Sequence, residues 1–251
     1  FLQKYLDNGS EKVLPGAALV GAGCGSYELI TLKGLSEIRR AEVIVYDDLI
    51  DEHLLDFAPE SCELIYAGKR SGRHSKAQEE INEMLVTKAL EGKYIVRLKG
   101  GDPYVFGRGG EEALALKAHG IPVHEVPGVT SSIGLCGMAG IPVTHRGASR
   151  GFHVITGHTA DNLPPEIEEI RWKSYAKLDE TFVFLMGLKS IDMITEKLMR
   201  YGKPSDTPVA VIHGENTDGT YVKLVGTLSD IAGKVKEAGF PSPAIIVVGE
   251  V

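Results

Sequence analysis

The densest chemistry in this 251-residue chain lies in one loop, Gly100-Gly101-Asp102-Pro103-Tyr104-Val105-Phe106-Gly107-Arg108-Gly109-Gly110-Glu111-Glu112. Five glycines within eleven residues cannot serve a helix or strand interior, so the segment is a loop with an unusual backbone path. Asp102 precedes Pro103 and is held extended, which lets its carboxylate point into a cleft. A second segment, GKRSGRHSK from Gly68 to Lys76, gathers Lys69, Arg70, Arg73, Lys76 and His74 with no acid among them. It is either an anion site or a solvated loop. Thr144-His145-Arg146 and Arg150 form a further basic cluster. Together with Arg97 and Arg108, these cations point to a polyanionic substrate whose carboxylates need charge-assisted donors. Val126-Pro127-Gly128-Val129-Thr130-Ser131-Ser132 is a turn followed by small hydroxylated residues, which either cap a helix or hydrogen-bond a ligand.

The elements that must carry these loops follow from periodicity. Strands are expected at Ala18–Val20, Val43–Tyr46, Leu64–Tyr66, Tyr94–Leu98 and Val123–Val126. The second half repeats the texture at Phe152–Thr156, Phe182–Met186, Val209–Ile212, Tyr221–Val225 and Ala244–Val248. Between the first strands, Leu32, Leu35 and Ile38 share a helical face after a Thr31 N-cap, and Ser75 with Gln78 forms a capping box before Ala77, Ile81, Met84, Leu85 and Ala89. Further helices are expected at Glu111–Ala118, about Thr130–Met138, Ser190–Tyr201 and Ser229–Ala238. The fold class is α/β, with one α/β domain over 1–127 and another over 128–251, joined by a linking segment at about 128–144. Six strands run straight into glycine, at Gly21, Gly100, Gly128, Gly157, Gly187 and Gly214. Either this is punctuation, or it marks a ligand-lined cleft between two domains at the carboxyl ends of strands.

Bulk composition narrows the function classes. A net charge of −7 argues against a general nucleic-acid binder. No apolar run approaches the roughly 20 residues that span a bilayer. The chain shows no signal-peptide pattern and begins at Phe1 without Met, so a trimmed, cytoplasmic protein is expected. Cys24, Cys62 and Cys136 lie far apart and read as reduced thiols with no metal pattern. His119–His124 and His153–His158 have the wrong spacing for two metal ligands on one helix face, so no metal is expected. Gly21-Ala-Gly23-Cys-Gly25 invites a dinucleotide reading, but Ser26 stands where the third glycine is needed. Neither a nucleophile elbow nor a P-loop is present.

Taken together, the segments VGAGCGSYELITLKGL, VIVYDDLI, AGKRSGRHSKAQEEIN, VRLKGGDPYVFGRGGEE, VPGVTSSIG, GIPVTHRG, VITGH, FLMGL and PAIIVVGEV resemble the tetrapyrrole methylase family over nearly the whole chain, in matching order. The resemblance implies two α/β domains with an interdomain cleft, usually a homodimer. It implies S-adenosyl-L-methionine as methyl donor, S-adenosylhomocysteine as product, and a small polycarboxylate tetrapyrrole as substrate. The implied reaction is methylation of uroporphyrinogen III at C2 and C7 to give precorrin-2. Alternatives are a methylase of a later corrin precursor and a non-catalytic cofactor- or tetrapyrrole-binding relative. Carried over residue by residue, cofactor contacts fall on Cys24, Gly100, Gly101, Asp102, Val105, Thr130, Ser131, Met186, Ala210 and Gly214. Asp47 is implied as proton acceptor and Lys69 as proton donor, with Arg70, Arg73, His74, Arg108, His145 and Arg146 toward the substrate carboxylates. Without the resemblance, Asp47 reads equally as a cap and Met186 as core packing. Two departures stand out. Where the family's first loop reads G-A-G-P-G-D-P this chain has GAGCGSY, and Asp48 replaces a common Arg in YDDLI.

Overall fold

The computed structural model describes residues 14–68, 78–157, 164–215 and 221–251, residue 215 by its backbone alone. The chain forms two compact units that divide between Thr130 and Ser131.

The first unit is built on five strands: β1 Gly16–Gly21, β2 Val43–Tyr46, β3 Glu63–Tyr66, β4 Tyr94–Lys99 and β5 Val123–Val126. They lie in the order β3-β2-β4-β1-β5 and every pairing is parallel. Parallel strands need crossovers: α1 Leu32–Arg39, α2 Gln78–Leu90 and α3 Gly109–Ala118 supply three of the four, and the short 3-10 segment Glu52–Phe57 lies in the one between β2 and β3. Successive side chains of a strand point to opposite faces, and the core divides accordingly. Ala17, Leu19, Val43, Val45 and Ile95 pack with Ile81 and Leu85 of α2 and Leu116 of α3. Ala18, Val20, Ile44, Val96 and Leu98 pack on the other face with Ile38 of α1 and Leu54. Both faces are covered, which is why these strands read as continuous apolar runs rather than alternating ones.

Local signals account for the helix ends. The Thr31 side chain accepts from the Gly34 N–H and caps α1. Of the face expected to be shared by Leu32, Leu35 and Ile38, Ile38 is buried and Leu35 half-buried, whereas Leu32 is exposed and is corrected; Gly34 and Glu37 are buried beside Ile38. Gly34 lets the helix approach Val20 and Ile30 closely. In α2, Ile81, Leu85 and Ala89 are buried as the spacing requires, whereas Ser75 and Ala77 lie outside the described residues.

The second unit is mixed. Its strands are β6 Phe152–Thr156, β7 Thr181–Leu185, β8 Pro208–Glu215, β9 Tyr221–Thr227 and β10 Ile245–Val248, in the order β6-β7-β10-β8-β9. Only β6 and β7 pair in parallel; β10 runs antiparallel to β7 and β8, and β8 to β9. Helices α5 Pro165–Lys177, α6 Ile191–Arg200 and α7 Ile231–Glu237 contribute Trp172, Ile194, Leu198 and Ile231 to a core with Phe182, Phe184, Val209, Val211 and Ile246. Helix α4, Ser131–Met138, packs with β7, β8 and β10 of the same unit. It is tied to β9 by Tyr221, whose hydroxyl donates to the Met138 sulfur at 3.1 Å, and by Lys223 Nζ, which donates to the Ala139 carbonyl at 2.8 Å. The expected linking segment is therefore divided: residues 128–130 stay with the first unit and α4 with the second. Sequence reasoning omitted α5 altogether.

Candidate functional site

In an open parallel sheet, ligands bind beyond the carboxyl ends of the strands, beside the point where strand order reverses. The first unit has such an edge. Strand β1 sits between β4 and β5, while the chain leaving β1 runs out to β2 and β3 before returning. The residues that follow these strands are Ala22–Cys24, Asp47–Leu49, Gly68, Gly100–Arg108 and Pro127–Thr130.

Four glycines hold the loops of this edge together. A Cβ on Gly128 would lie 2.1 Å from the Gly101 carbonyl oxygen and 2.7 Å from Gly21 Cα. One on Gly21 would lie 2.4 Å from Gly128 N. Gly23 and Gly101 exchange backbone hydrogen bonds, at 2.6 Å from Gly101 N and 3.2 Å from Gly23 N. The loops after β1, β4 and β5 are thus in backbone contact with no room for a side chain. In the second unit, Gly157 and Gly187 meet in the same way, with a Gly157 Cβ falling 2.2 Å from Gly187 Cα. These glycines answer first to each other's backbone. At Gly214 a Cβ would meet nothing within 4 Å.

The Asp102 carboxylate locks the loop after β4. Oδ1 accepts from Tyr104 N at 2.8 Å and Oδ2 from Gly128 N at 3.2 Å, so one side chain braces its own turn and the loop after β5. Each oxygen keeps acceptor capacity for a ligand donor. Phe106 and Arg108 adopt left-handed backbone at φ 53° and 59°. Non-glycine residues there carry strain that persists where surroundings over-determine it. Tyr104 and Phe106 are exposed, Val105 is half-buried, and Cys24 is buried. Arg108 pairs with Glu111 through Nη2 at 2.6 Å and Nε at 2.9 Å.

Asp47 follows β2 and is held at both oxygens. Oδ1 accepts from Leu49 N at 3.1 Å, and Oδ2 accepts from Arg97 Nη2 at 3.1 Å. Arg97 is therefore a correction: it is buried and committed, and does not offer its guanidinium to a substrate carboxylate. Its Nε donates to Glu112 Oε1 at 3.1 Å, and Nη1 donates to the carbonyls of Val45 and Leu98. Lys99 Nζ reaches the same Glu112 oxygen at 3.1 Å. Burial and the neighbouring Arg97 cation hold the Lys99 pKa below the usual lysine range, with Glu112 offsetting part of the effect. Next to Asp47, Asp48 accepts a hydrogen bond from the Tyr66 hydroxyl. Gly100 lets Leu49 come close, since a Cβ there would lie 2.5 Å from Leu49 Cβ.

The first unit thus brings together Cys24, Asp47, Gly100, Gly101, Asp102, Val105 and Arg108 at or beside one sheet edge, with Thr130 at its end. Lys69, Arg70, Arg73 and His74 lie outside the described residues. Ser131, His145, Arg146, Met186, Ala210 and Gly214 belong to the second unit. His145 and Arg146 are exposed in a turn closed by the His145 N–H to the Ser149 carbonyl at 3.0 Å. Met186 is not core packing: it is 47% exposed and sits at φ 57° immediately after β7. Ala210 is buried in β8. Sequence reasoning missed Glu112 and Lys99. The signal was available, because period two puts Arg97 and Lys99 on the same face of a buried strand, and the next helix carries an acid in its first turn.

The family model for tetrapyrrole (corrin/porphyrin) methylases matches residues 18–232, and the chain belongs to that family. It is 51% identical over 235 residues to uroporphyrinogen-III C-methyltransferase of Methanocaldococcus jannaschii, covering 93% of this chain and 95% of that protein. It is 47% identical over 233 residues to the Priestia megaterium protein of the same name, covering 93% and 96%. Among solved structures, uroporphyrin-III C-methyltransferase of Thermus thermophilus complexed with S-adenosylhomocysteine is 38% identical, with a TM-score of 0.77 over 94% of this chain and 97% of that one.

Proposed function

We propose that this chain transfers methyl groups from S-adenosyl-L-methionine to C2 and C7 of uroporphyrinogen III, releasing S-adenosylhomocysteine and precorrin-2. The observation that carries the reading is the carboxyl edge of the parallel sheet, where a braced glycine loop and a held carboxylate lie side by side in a chain half identical to enzymes of that name.

The residues present fit the methyl donor. Asp102 would accept from its polar end, backbone groups of Gly100, Gly101 and Thr130 would meet the adenosine portion, and Val105 and Cys24 would supply apolar contact. The family resemblance also implies Ser131, Met186, Ala210 and Gly214; within the second unit Met186 is exposed and a Cβ at Gly214 would meet nothing within 4 Å. When bound, the donor supplies an electrophilic methyl on sulfonium, which a nucleophilic pyrrole carbon takes as the sulfur keeps the bonding pair. The chain's own work is orientation and proton handling. Asp47 is assigned as the proton acceptor on the resemblance, and its half-buried carboxylate, fixed at both oxygens, supports the assignment, since a proton must leave the methylated ring. Lys69 is assigned as proton donor on the resemblance alone. Arg70, Arg73, His74, Arg108, His145 and Arg146 are assigned to the substrate carboxylates. Arg108 would exchange its exposed Glu111 partner, a pairing of the kind that contributes little in water.

The reading includes a cytoplasmic homodimer, which rests on the family resemblance; among the described residues no helix is long and apolar enough to cross a membrane. The experiment is turnover of uroporphyrinogen III with S-adenosylmethionine, followed by S-adenosylhomocysteine release. Two equivalents per tetrapyrrole support the proposal. Binding of S-adenosylmethionine without release would reassign the chain to a non-catalytic role or another tetrapyrrole.

A further inference from the structure

We infer that Glu112 is a positioning residue for the Asp47 carboxylate, acting through Arg97; this rests on the reading of Asp47 as proton acceptor. The inference starts from strand periodicity. Arg97 and Lys99 share the β4 face that packs against α2 and α3, so two cations enter a core that also holds Ile95 and Leu116. Glu112 comes down on them from the first turn of α3, where the helix dipole favours an acid. It is completely buried, and its Oε1 takes three donors: Arg97 Nε, Lys99 Nζ and Gln78 Nε2 at 3.3 Å.

The consequence for Asp47 is geometric. The guanidinium is planar and its N–H groups form a rigid fork. With Nε on Glu112 and Nη1 on the Val45 and Leu98 carbonyls, its plane is fixed before it meets Asp47. Nη2 then presents its hydrogen to Asp47 Oδ2 at one place, while Leu49 N holds Oδ1. The charges also balance, since two buried cations face Glu112 and Asp47. Remove the Glu112 charge, and among the described residues Arg97 keeps its ion pair with Asp47 alone while Lys99 loses the one it makes with Glu112. Glu112 Oε2 is buried without a hydrogen-bond partner among the described residues. That unsatisfied oxygen is a cost to stability, which an apolar side chain at the same place would not carry.

The experiment compares Glu112→Gln, Glu112→Gln with Lys99→Met, and Asp47→Asn with the parent enzyme, measuring kcat, KM for uroporphyrinogen III, S-adenosylhomocysteine affinity and Tm. Glu112→Gln is expected to lower kcat about 100-fold, the scale of a misplaced catalytic group, with KM and S-adenosylhomocysteine affinity within about twofold. The double variant restores charge balance, so its Tm recovers toward the parent while kcat stays low. Where the single variant does not fold, the double variant carries the same comparison. Recovery of kcat in step with Tm would make Glu112 purely structural and overturn the inference. So would Glu112→Gln at parental kcat while Asp47→Asn is inactive. Parental turnover by Asp47→Asn would instead sink the assignment of Asp47, and the inference with it.

Discussion

Replacing Gly128 with alanine tests whether the glycines of the first unit serve backbone contact. The new Cβ would stand 2.1 Å from the Gly101 oxygen, 2.7 Å from Gly21 Cα and 2.8 Å from Gly21 C. All three are backbone atoms, so no rotamer change relieves the clash. Ordinary contact begins at 3.4 Å, so the loop after β4 must withdraw by more than 1 Å. That displacement carries Asp102 away from Gly128 N and breaks the brace at 3.2 Å. Overpacking of this kind costs about 1–3 kcal/mol, or roughly 2–4 °C of Tm per kcal/mol in a chain of this size. A 1 Å error at a positioned group costs about 100-fold in rate. Differential scanning fluorimetry with and without S-adenosylhomocysteine, paired with turnover, reads both effects. The control is Gly233→Ala in α7, where a Cβ meets nothing within 4 Å and the protein should gain about 0.5–1 kcal/mol. If Gly128→Ala matches the parent in Tm, ligand-induced shift and rate, the argument that these loops are locked through backbone contact fails.

Other expectations follow from single contacts. Burial raises the Glu37 pKa, but hydrogen bonds from Tyr94 and Arg40 more than offset this and leave it below its usual value. A depressed folded pKa stabilises above the unfolded value, about 4.3, and that contribution is lost as pH falls through the folded value. Tm of the parent should therefore drop on acidification through about pH 4 more steeply than Tm of Glu37→Gln, and parallel curves would refute it. Burial pushes the Cys62 thiol up to about 11, so iodoacetamide at pH 8 should modify it far more slowly than a free thiol, as followed by mass. Asp48→Arg should lower KM for uroporphyrinogen III by about fivefold, the worth of one exposed charge pair; an unchanged KM would remove Asp48 from the substrate's surroundings.

Much of the scaffold was legible because its signals are local. Thr31 caps α1 as its position before the apolar spacing required, and strands β2, β5 and β6 begin and end where their apolar runs do. Helix α5 was missed although Pro165 opens it and acids fill its first turn, because Ile167 and Ile170 lie exposed and blur the apolar stripe. The glycine-rich loop announced itself by composition. Its reason did not, since contact among Gly21, Gly101 and Gly128 joins segments 27 to 107 residues apart and leaves no periodic trace. Arg97 was misjudged for a related cause. A cation in a strand reads as exposed until the partner that buries it, here Glu112 from the following helix, is located.

The most direct test of the central claim is incubation of the chain with uroporphyrinogen III and S-adenosylmethionine carrying a 13C-labelled methyl, with the product read by mass and carbon NMR. The account predicts two labelled methyls per tetrapyrrole, one at C2 and one at C7. Label at other positions, or no label in a protein that still binds S-adenosylhomocysteine, would contradict it.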